Sequence, residues 1–303
     1  MADKMFDIVI IGGGPAGLTA AIYAARFKMS AVVLAKMPGG LLTSAHLIEN
    51  WPGFESITGI ELMKRIQDHV EKLGVKVLIE DVIDINKSKE GFKVRTEGKT
   101  YDARTILFAT GTERRRLGVR GESDFLGKGV SYCAVCDGPF FKEKTVAVVG
   151  GSDAAAKEAL LLTQWAKKVY IIYRKQEIRP EPATADAVKA NKKIEIVANA
   201  NVTEIMGKRF VEAVQLDNGK KLSVDGVFIE IGGNPISAMA KKLGVSLNDR
   251  GEIVTDKDGR TNVPGIYAAG DVTNRTYKQA LMAAAEGASA IFSAYRFMKE
   301  GKE

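Results

Sequence analysis

Phe6-Asp7-Ile8-Val9-Ile10-Ile11-Gly12-Gly13-Gly14-Pro15-Ala16-Gly17 stands near the start of the chain. Lys144-Thr145-Val146-Ala147-Val148-Val149-Gly150-Gly151-Ser152-Asp153-Ala154-Ala155 repeats it without a gap, 138 residues later (144 against 6). Each copy begins with a β-branched apolar run, reads as a buried strand, and turns through glycines into an alanine-rich helix. The helices are expected to reach about Phe27 and Trp165, and a second apolar strand follows each, Ala31–Leu34 and Val169–Ile172. Two strand–glycine loop–helix–strand units predict two Rossmann-type halves in an α/β protein.

In the first copy Gly12 makes the tight turn, Gly14 admits a pyrophosphate to the backbone, and Gly17 permits close helix–strand packing. Phosphates would lie at the helix N-terminus, where free N–H groups and the dipole favour anions. In the second copy Ser152 replaces the middle glycine and Ala155 the last. A Cβ at Ser152 stands where phosphates approach and weakens that site; a packing turn without a nucleotide is the alternative. The residue ending the second strand discriminates cofactors, because an acid holds a ribose 2′-OH and a cation suits a 2′-phosphate. Here Tyr173 is followed by Arg174, Lys175 and Arg179, which favours NADPH over NADH; in the first unit the matching residue is Ala35. Downstream, Thr261–Asp271 reads as an extended segment ending in Gly270-Asp271. The Asp271 carboxylate could accept hydrogen bonds from a sugar-alcohol chain such as ribitol, or cap the following helix, expected from about Gln279 to Met298.

Between the two copies' chemistry lies Cys133-Ala134-Val135-Cys136, followed by Asp137-Gly138, and these are the only two cysteines in 303 residues. Structural zinc needs four ligands, and the two histidines, His46 and His69, are 23 positions apart (69 − 46) and off the usual spacing. A disulfide closing so small a loop stabilises little. The pair therefore reads as a redox couple, with no metal. Asp137 can supply or remove the proton of thiol exchange, or serve the Asp-Gly-Pro turn at 137–139.

The length leaves room for two domains, and 46% hydrophobic with 27% charged residues describes an ordinary globular chain. The net charge of +7 is scattered, with one cluster at Arg114-Arg115-Arg116 and Arg120. Without interleaved stacking aromatics it gives no nucleic-acid site, though a positive field can steer an acidic protein partner. No signal-peptide pattern and no apolar run long enough for a bilayer are visible, so a cytoplasmic protein without membrane contact is expected.

The motifs GGGPAGLTAAIYAAR, MPGGLLTS, IENWPG, ATGTERR, CAVCDG, GGSDAAAKEAL, VPGIYAAGDV and YKQAL together give the chain a specific likeness. It resembles the low-molecular-weight thioredoxin reductases, flavin enzymes of bacteria and archaea, along essentially its whole length. The resemblance implies two Rossmann-like, three-layer (ββα/βα) nucleotide-binding domains, the second inserted into the first. An FAD-binding domain would comprise residues 1–114 and 244–303, and an NADPH-binding domain carrying the dithiol residues 115–243. It implies a homodimer serving thioredoxin or a thioredoxin-like protein. Cys136 would be the flavin-side sulfur, Cys133 the sulfur that attacks the partner, and Asp137 the acid. FAD would be held by Gly12, Gly14, Pro15, Ala16 and Gly17, by Gly40, Thr43, Glu49, Asn50 and Gly111, and by Gly270, Asp271, Lys278, Gln279 and Ala280. NADPH would be held by Gly150, Gly151, Ser152, Asp153 and Ala154, with Arg174, Lys175 and Arg179 at its phosphate. Four residues depart from the family pattern: Ala35 and Ser152 as above, Leu41 where glutamine is common, and Lys175 in place of an arginine. The same architecture could instead serve a ferredoxin-linked reductase, a dithiol oxidase, or a flavin-binding redox sensor. Hinges are expected near residues 112–118 and 241–247, and Lys128 with its neighbouring arginines is a candidate docking surface.

Overall fold

The computed structural model describes residues 5–45 and 47–300. They divide into two compact units, Met1–Glu113 with Asn234–Glu303, and Arg114–Gly233. The first passage contains β1 (Phe6–Ile11), α1 (Pro15–Arg26), β2 (Ala31–Leu34), α2 (Gly59–Lys72), β3 (Lys76–Leu78), β4 (Val82–Ser88), β5 (Gly91–Thr96), β6 (Thr100–Phe108) and β7 (Thr112–Arg114). The second unit follows with β8 (Val130–Ser131), α3 (Ala134–Asp137), β9 (Thr145–Val149), α4 (Asp153–Leu162), β10 (Lys168–Ile172), α5 (Pro182–Ala190) and β11 (Ile194–Val197). Then come β12 (Val202–Gly207), β13 (Val211–Leu216), β14 (Lys221–Ser223), β15 (Gly226–Ile229) and β16 (Gly233–Pro235). The chain ends through α6 (Ala238–Lys242), β17 (Ile266–Ala268) and α7 (Ala280–Glu300).

In the first unit β3, β2, β1, β6 and β17 form a parallel sheet in that order. The β6 strand is shared: Thr100–Ala103 pair with antiparallel β5, and Ile106–Phe108 pair with β17. Both sheet faces are covered, which is why Ile8–Ile11 reads as continuous apolar sequence and not as an alternation. Ile8 and Ile10 face a core shared with α1 and α7, whereas Val9 and Ile11 face a core shared with Ile85 and Val94 of the β4–β5 hairpin. Helices, sheet and hairpin make three layers.

The second unit repeats the plan. Its parallel sheet runs β11-β10-β9-β15-β8, and β12-β13-β14 form the antiparallel layer. Val146 and Val148 meet Ala155, Ala156 and Ala159 of α4, while Ala147 and Val149 meet Val214. The repeat offset places β9, α4 and β10 at 144, 153 and 169; they begin at 145, 153 and 168. The helix α4 stops at Leu162, before Trp165, because the amides of Gln164 and Trp165 turn back to Leu161 and Leu162 in a tighter i→i−3 pattern.

Residues 234–243, read from sequence as part of the insertion, lie in the first unit. Ala240, Leu243 and Val245 are buried with Val9 and Ile106, so the apolar face of α6 fixes the second crossing at 233/234. The segment 241–247 is therefore inside the first unit and is no crossing point. Among the described residues no helix is long and apolar enough to cross a membrane.

Candidate functional site

In the first unit Gly12 (φ +112°) follows β1, and a Cβ there would stand 2.2 Å from the Ala109 carbonyl oxygen. A Cβ on Gly17 would stand 1.9 Å from the Gly12 carbonyl oxygen, so α1 can approach the strand only through glycine. Gly14 caps α1 without any side-chain hydrogen bond, Pro15 begins the helix, and a Cβ on Gly14 would meet nothing within 4 Å. The first-turn amides of α1 thus open onto free space, the arrangement that receives a phosphate. Gly40 (φ +60°) lies beside Gly14, and the Thr43 hydroxyl donates to the Gly40 carbonyl at 2.8 Å. Ala35 is buried against Gly13 and offers no hydrogen bond to a ribose.

The distant C-terminal motifs reach the same loop. Gly270 (φ +80°) packs on Ala16, and its N–H donates to Glu286 at 2.8 Å. Burial pushes both Asp271 and Glu286 above the ordinary carboxyl range, with Lys278 opposing. The Lys278 ammonium donates to the backbone carbonyls of Asp271 and Thr273. The Asn50 amide donates to Gln279 at 3.1 Å, joining the IENWPG and YKQAL stretches, while Glu49 is exposed. Gly111 accepts the Ile236 N–H at 3.0 Å. The helix-cap alternative for Asp271 fails, since α7 begins at Ala280. These residues fit FAD: an open helix end for pyrophosphate lies beside Asp271, a buried carboxyl whose charged form gains from hydroxyl donors.

In the second unit a Cβ on Gly150 would stand 2.1 Å from the Glu230 carbonyl oxygen, and one on Gly151 would stand 2.4 Å from the Tyr173 ring. Tyr173, at the position of an NAD-type acid, is thus the floor of the loop. The Ser152 hydroxyl caps α4 by accepting the Ala155 N–H at 3.3 Å. The Asp153 carboxylate is already engaged by Lys157 at 2.8 Å and by the Glu181 N–H at 2.9 Å. Burial opposes its charge, but these partners and Thr184 hold it below the usual range. Ala154 is exposed, as are Arg174, Lys175 and Arg179, and the Arg179 N–H donates to the Gly151 carbonyl at 2.7 Å. This loop and its three cations fit a phosphorylated nucleotide.

Also in the second unit, Cys133 and Cys136 form a disulfide. Cys133 caps α3, its sulfur accepting the Cys136 N–H at 3.2 Å; it is half-buried and Cys136 is exposed. The Ser131 hydroxyl takes the Cys133 N–H at 3.0 Å. Asp137 ends α3, and its N–H donates to the Cys133 carbonyl at 3.1 Å. A Cβ on Gly138 would stand 2.6 Å from the Trp165 ring, so the residue after Asp137 must be small. Among the described residues no cluster of three or more His, Cys, Asp or Glu could hold a metal; His46 lies outside them.

Sequence reading missed two carboxylate clusters beside the dithiol. Glu122 accepts the Tyr132 hydroxyl at 2.5 Å and the amides of Leu117 and Gly118 at 2.8 and 2.6 Å, tying the start of the unit to the residue before Cys133. Burial pushes Tyr132 up to about 12, with Glu122 adding to it. On α4, Glu158 sits three residues after Ala155 and four before Leu162, both fully buried. That helical spacing marked an inward position. Glu158 meets Glu230, Arg114 and the backbone of Ala134.

The model of the pyridine nucleotide-disulphide oxidoreductase family matches residues 6–287. A thioredoxin reductase of Listeria monocytogenes is 40% identical over 309 aligned positions, covering 99% of this chain and 96% of that one. The crystal structure of Lactococcus lactis thioredoxin reductase superposes with a TM-score of 0.94 at 36% identity, covering 97% of this chain and 99% of that chain. That of T. acidophilum thioredoxin reductase gives 0.93 at 40% identity, covering 98% and 100%.

Proposed function

The chain belongs to the pyridine nucleotide-disulphide oxidoreductase family and, within it, to the thioredoxin reductases, and we infer that it reduces a thioredoxin-like protein. The observation that carries this reading is the Cys133–Cys136 disulfide at the start of a helix, in a chain with two dinucleotide loops. FAD supplies the two-electron relay between NADPH and that disulfide. The residues of this chain do the rest. Residues 1–113 with 234–303 hold FAD through the α1 N-terminus and Asp271, and residues 114–233 hold NADPH through Gly150–Ser152 and Arg174, Lys175 and Arg179. Two electrons and two protons open the Cys133–Cys136 bond to a dithiol. Cys133 passes its proton to Asp137 and its thiolate attacks the partner's disulfide, and the departing partner thiolate takes that proton back from Asp137. Cys136 then displaces the second partner sulfur, which leaves with the Cys136 proton as the disulfide closes again. Exchange of this kind needs a stabilised thiolate, which the amides of α3 provide.

The working molecule is a homodimer in a reducing cytoplasm, where a disulfide is ordinarily catalytic. Half-exposed Phe292, edge-on to Phe27 at 5.0 Å, offers apolar surface for the second copy. Anaerobic titration of the purified flavoprotein with NADPH should bleach the flavin band, and oxidised thioredoxin should restore it. A Cys136→Ser variant should trap the partner as a mixed disulfide through Cys133, and Cys133→Ser should not. A yellow protein whose reduced form ignores every disulfide partner would favour the sensor reading.

A further inference from the structure

Glu158, Glu230 and Arg114 form a small charged cluster behind the dithiol helix, all within the second unit. The Arg114 guanidinium holds Glu230 at 2.7 Å. Glu158 neighbours the same Glu230 carboxyl and the Ala134 amide inside the Cys-Ala-Val-Cys turn. Its Oε2 atom is sealed from solvent and has no hydrogen-bond partner. Glu158 thus lies against a carboxyl that already has its guanidinium partner, and a proton on Glu158 relieves the like-charge contact.

We propose that Glu158 is a positioning residue for the dithiol: buried beside the Glu230 carboxyl, it props the Ala134 amide without placing negative charge beneath Cys133. The electrostatic reason concerns the reduced state. When the disulfide opens, a thiolate at Cys133 draws on the amide field of α3, beginning with the Cys136 N–H already at its sulfur. An ionised carboxylate at the Ala134 amide would oppose that thiolate. Burial first, and then the Glu230 carboxylate, push Glu158 up to about 9 against the pull of Arg114, so it is protonated at neutral pH.

The other titratable groups around it are accounted for. On α4, Lys157 pairs with Asp153 and Glu181. The α3 helix carries only Cys136 and Asp137, and β9 carries none. On α5, Asp186 and Lys189 are exposed; on β10, Lys168 pairs with Glu195 and lies over Tyr170.

The inference rests on the dithiol being redox-active, but its test reads thiol ionisation and needs no partner protein. The holoenzyme is reduced, and the rate of cysteine alkylation by iodoacetamide is followed from pH 5 to 10. Glu230→Gln removes the neighbouring like charge and leaves Glu158 beside Arg114, so the Glu158 pKa falls, its ionised fraction grows and the thiol pKa rises. One unit of rise cuts the thiolate fraction, and hence the rate at pH 6, about tenfold. Adding Glu158→Gln to Glu230→Gln restores a neutral acceptor at Ala134 and should return the profile to that of the wild type. Far-ultraviolet circular dichroism and flavin content show that each variant is folded. A Glu230→Gln profile identical to the wild type would overturn the proposal. So would a double variant that stays as slow as the single one, because mere loss of packing is not repaired by a second substitution. If the alkylation profiles behave as expected while no partner is reduced, the proposed function fails and this inference stands.

Discussion

Gly12 and Gly14 occupy one loop yet answer different physical demands, and substitution separates them. At Gly12 a side chain meets backbone at 2.2 Å, and its φ of +112° is one that L residues rarely adopt. At Gly14 the backbone is ordinary (φ −79°, ψ −172°) and the Cβ direction is open. Gly12→Ala should therefore lose the fold of the first unit, by about 4 kcal/mol or more, the size of effect reserved for a clash with fixed backbone. Gly14→Ala should stay within about 0.5 kcal/mol of the wild type yet bind FAD at least tenfold more weakly, since its methyl group enters the space kept for phosphate. Thermal melts of the flavin-free proteins and flavin content after dialysis distinguish the two; equal melting temperatures would sink the assignment. At this scale the sequence told glycine from its necessity poorly. It named both residues, but the clash at Gly12 comes from Ala109, ninety-seven positions away (109 − 12), and no local pattern carries that.

Among the elements, α4 shows how a departure from the nucleotide-loop pattern is compensated. Ser152 stands where the first copy has Gly14, and it gives α4 the side-chain cap that α1 lacks. The substitution exchanges an open phosphate approach for a hydrogen bond to the Ala155 amide. Ser152→Ala should cost about 1 kcal/mol of stability, the usual value of a lost N-cap, whereas Ser152→Gly should cost only a few tenths. Ser152→Gly should also lower the KM for NADPH, because phosphate oxygens can then take the freed amides. A KM unchanged in the glycine variant would mean that the serine Cβ is no obstacle. Elements were legible where periodicity or repetition reported them: β1, α1 and β2 recur as β9, α4 and β10 because both copies bury apolar strands on two faces. The antiparallel layers β4–β5 and β12–β14 were not called, since their half-buried alternation is diluted by charged residues such as Lys87 and Lys221. Glu158 escaped for a different reason: the pair Lys157-Glu158 on a helix ordinarily marks a solvated face, and only the buried neighbours three and four positions away contradict that.

At the scale of the whole molecule, the two units differ in how the chain supplies them, one from two separated stretches and one from a single stretch. The single stretch has what an independent domain requires: cores on both sides of its sheet and ends that lie close together. Near those ends the Arg115 N–H donates to the Gly232 carbonyl at 2.9 Å. Across the gap in the first unit, the Ile236 N–H reaches Gly111 at 3.0 Å and the Thr110 hydroxyl reaches the Ile236 carbonyl at 2.6 Å. Inserting or removing the second unit therefore asks little of the first. Residues 114–233 expressed alone should fold, melt cooperatively, form the Cys133–Cys136 disulfide and bind NADPH without binding flavin. The complementary chain, with residue 113 joined to 234 by a short glycine linker, should bind FAD and leave NADPH alone. Calorimetry and equilibrium dialysis test both halves. If the excised stretch stays unfolded, its two cores depend on the rest of the chain, and the nucleotide sites cannot be assigned to one unit each.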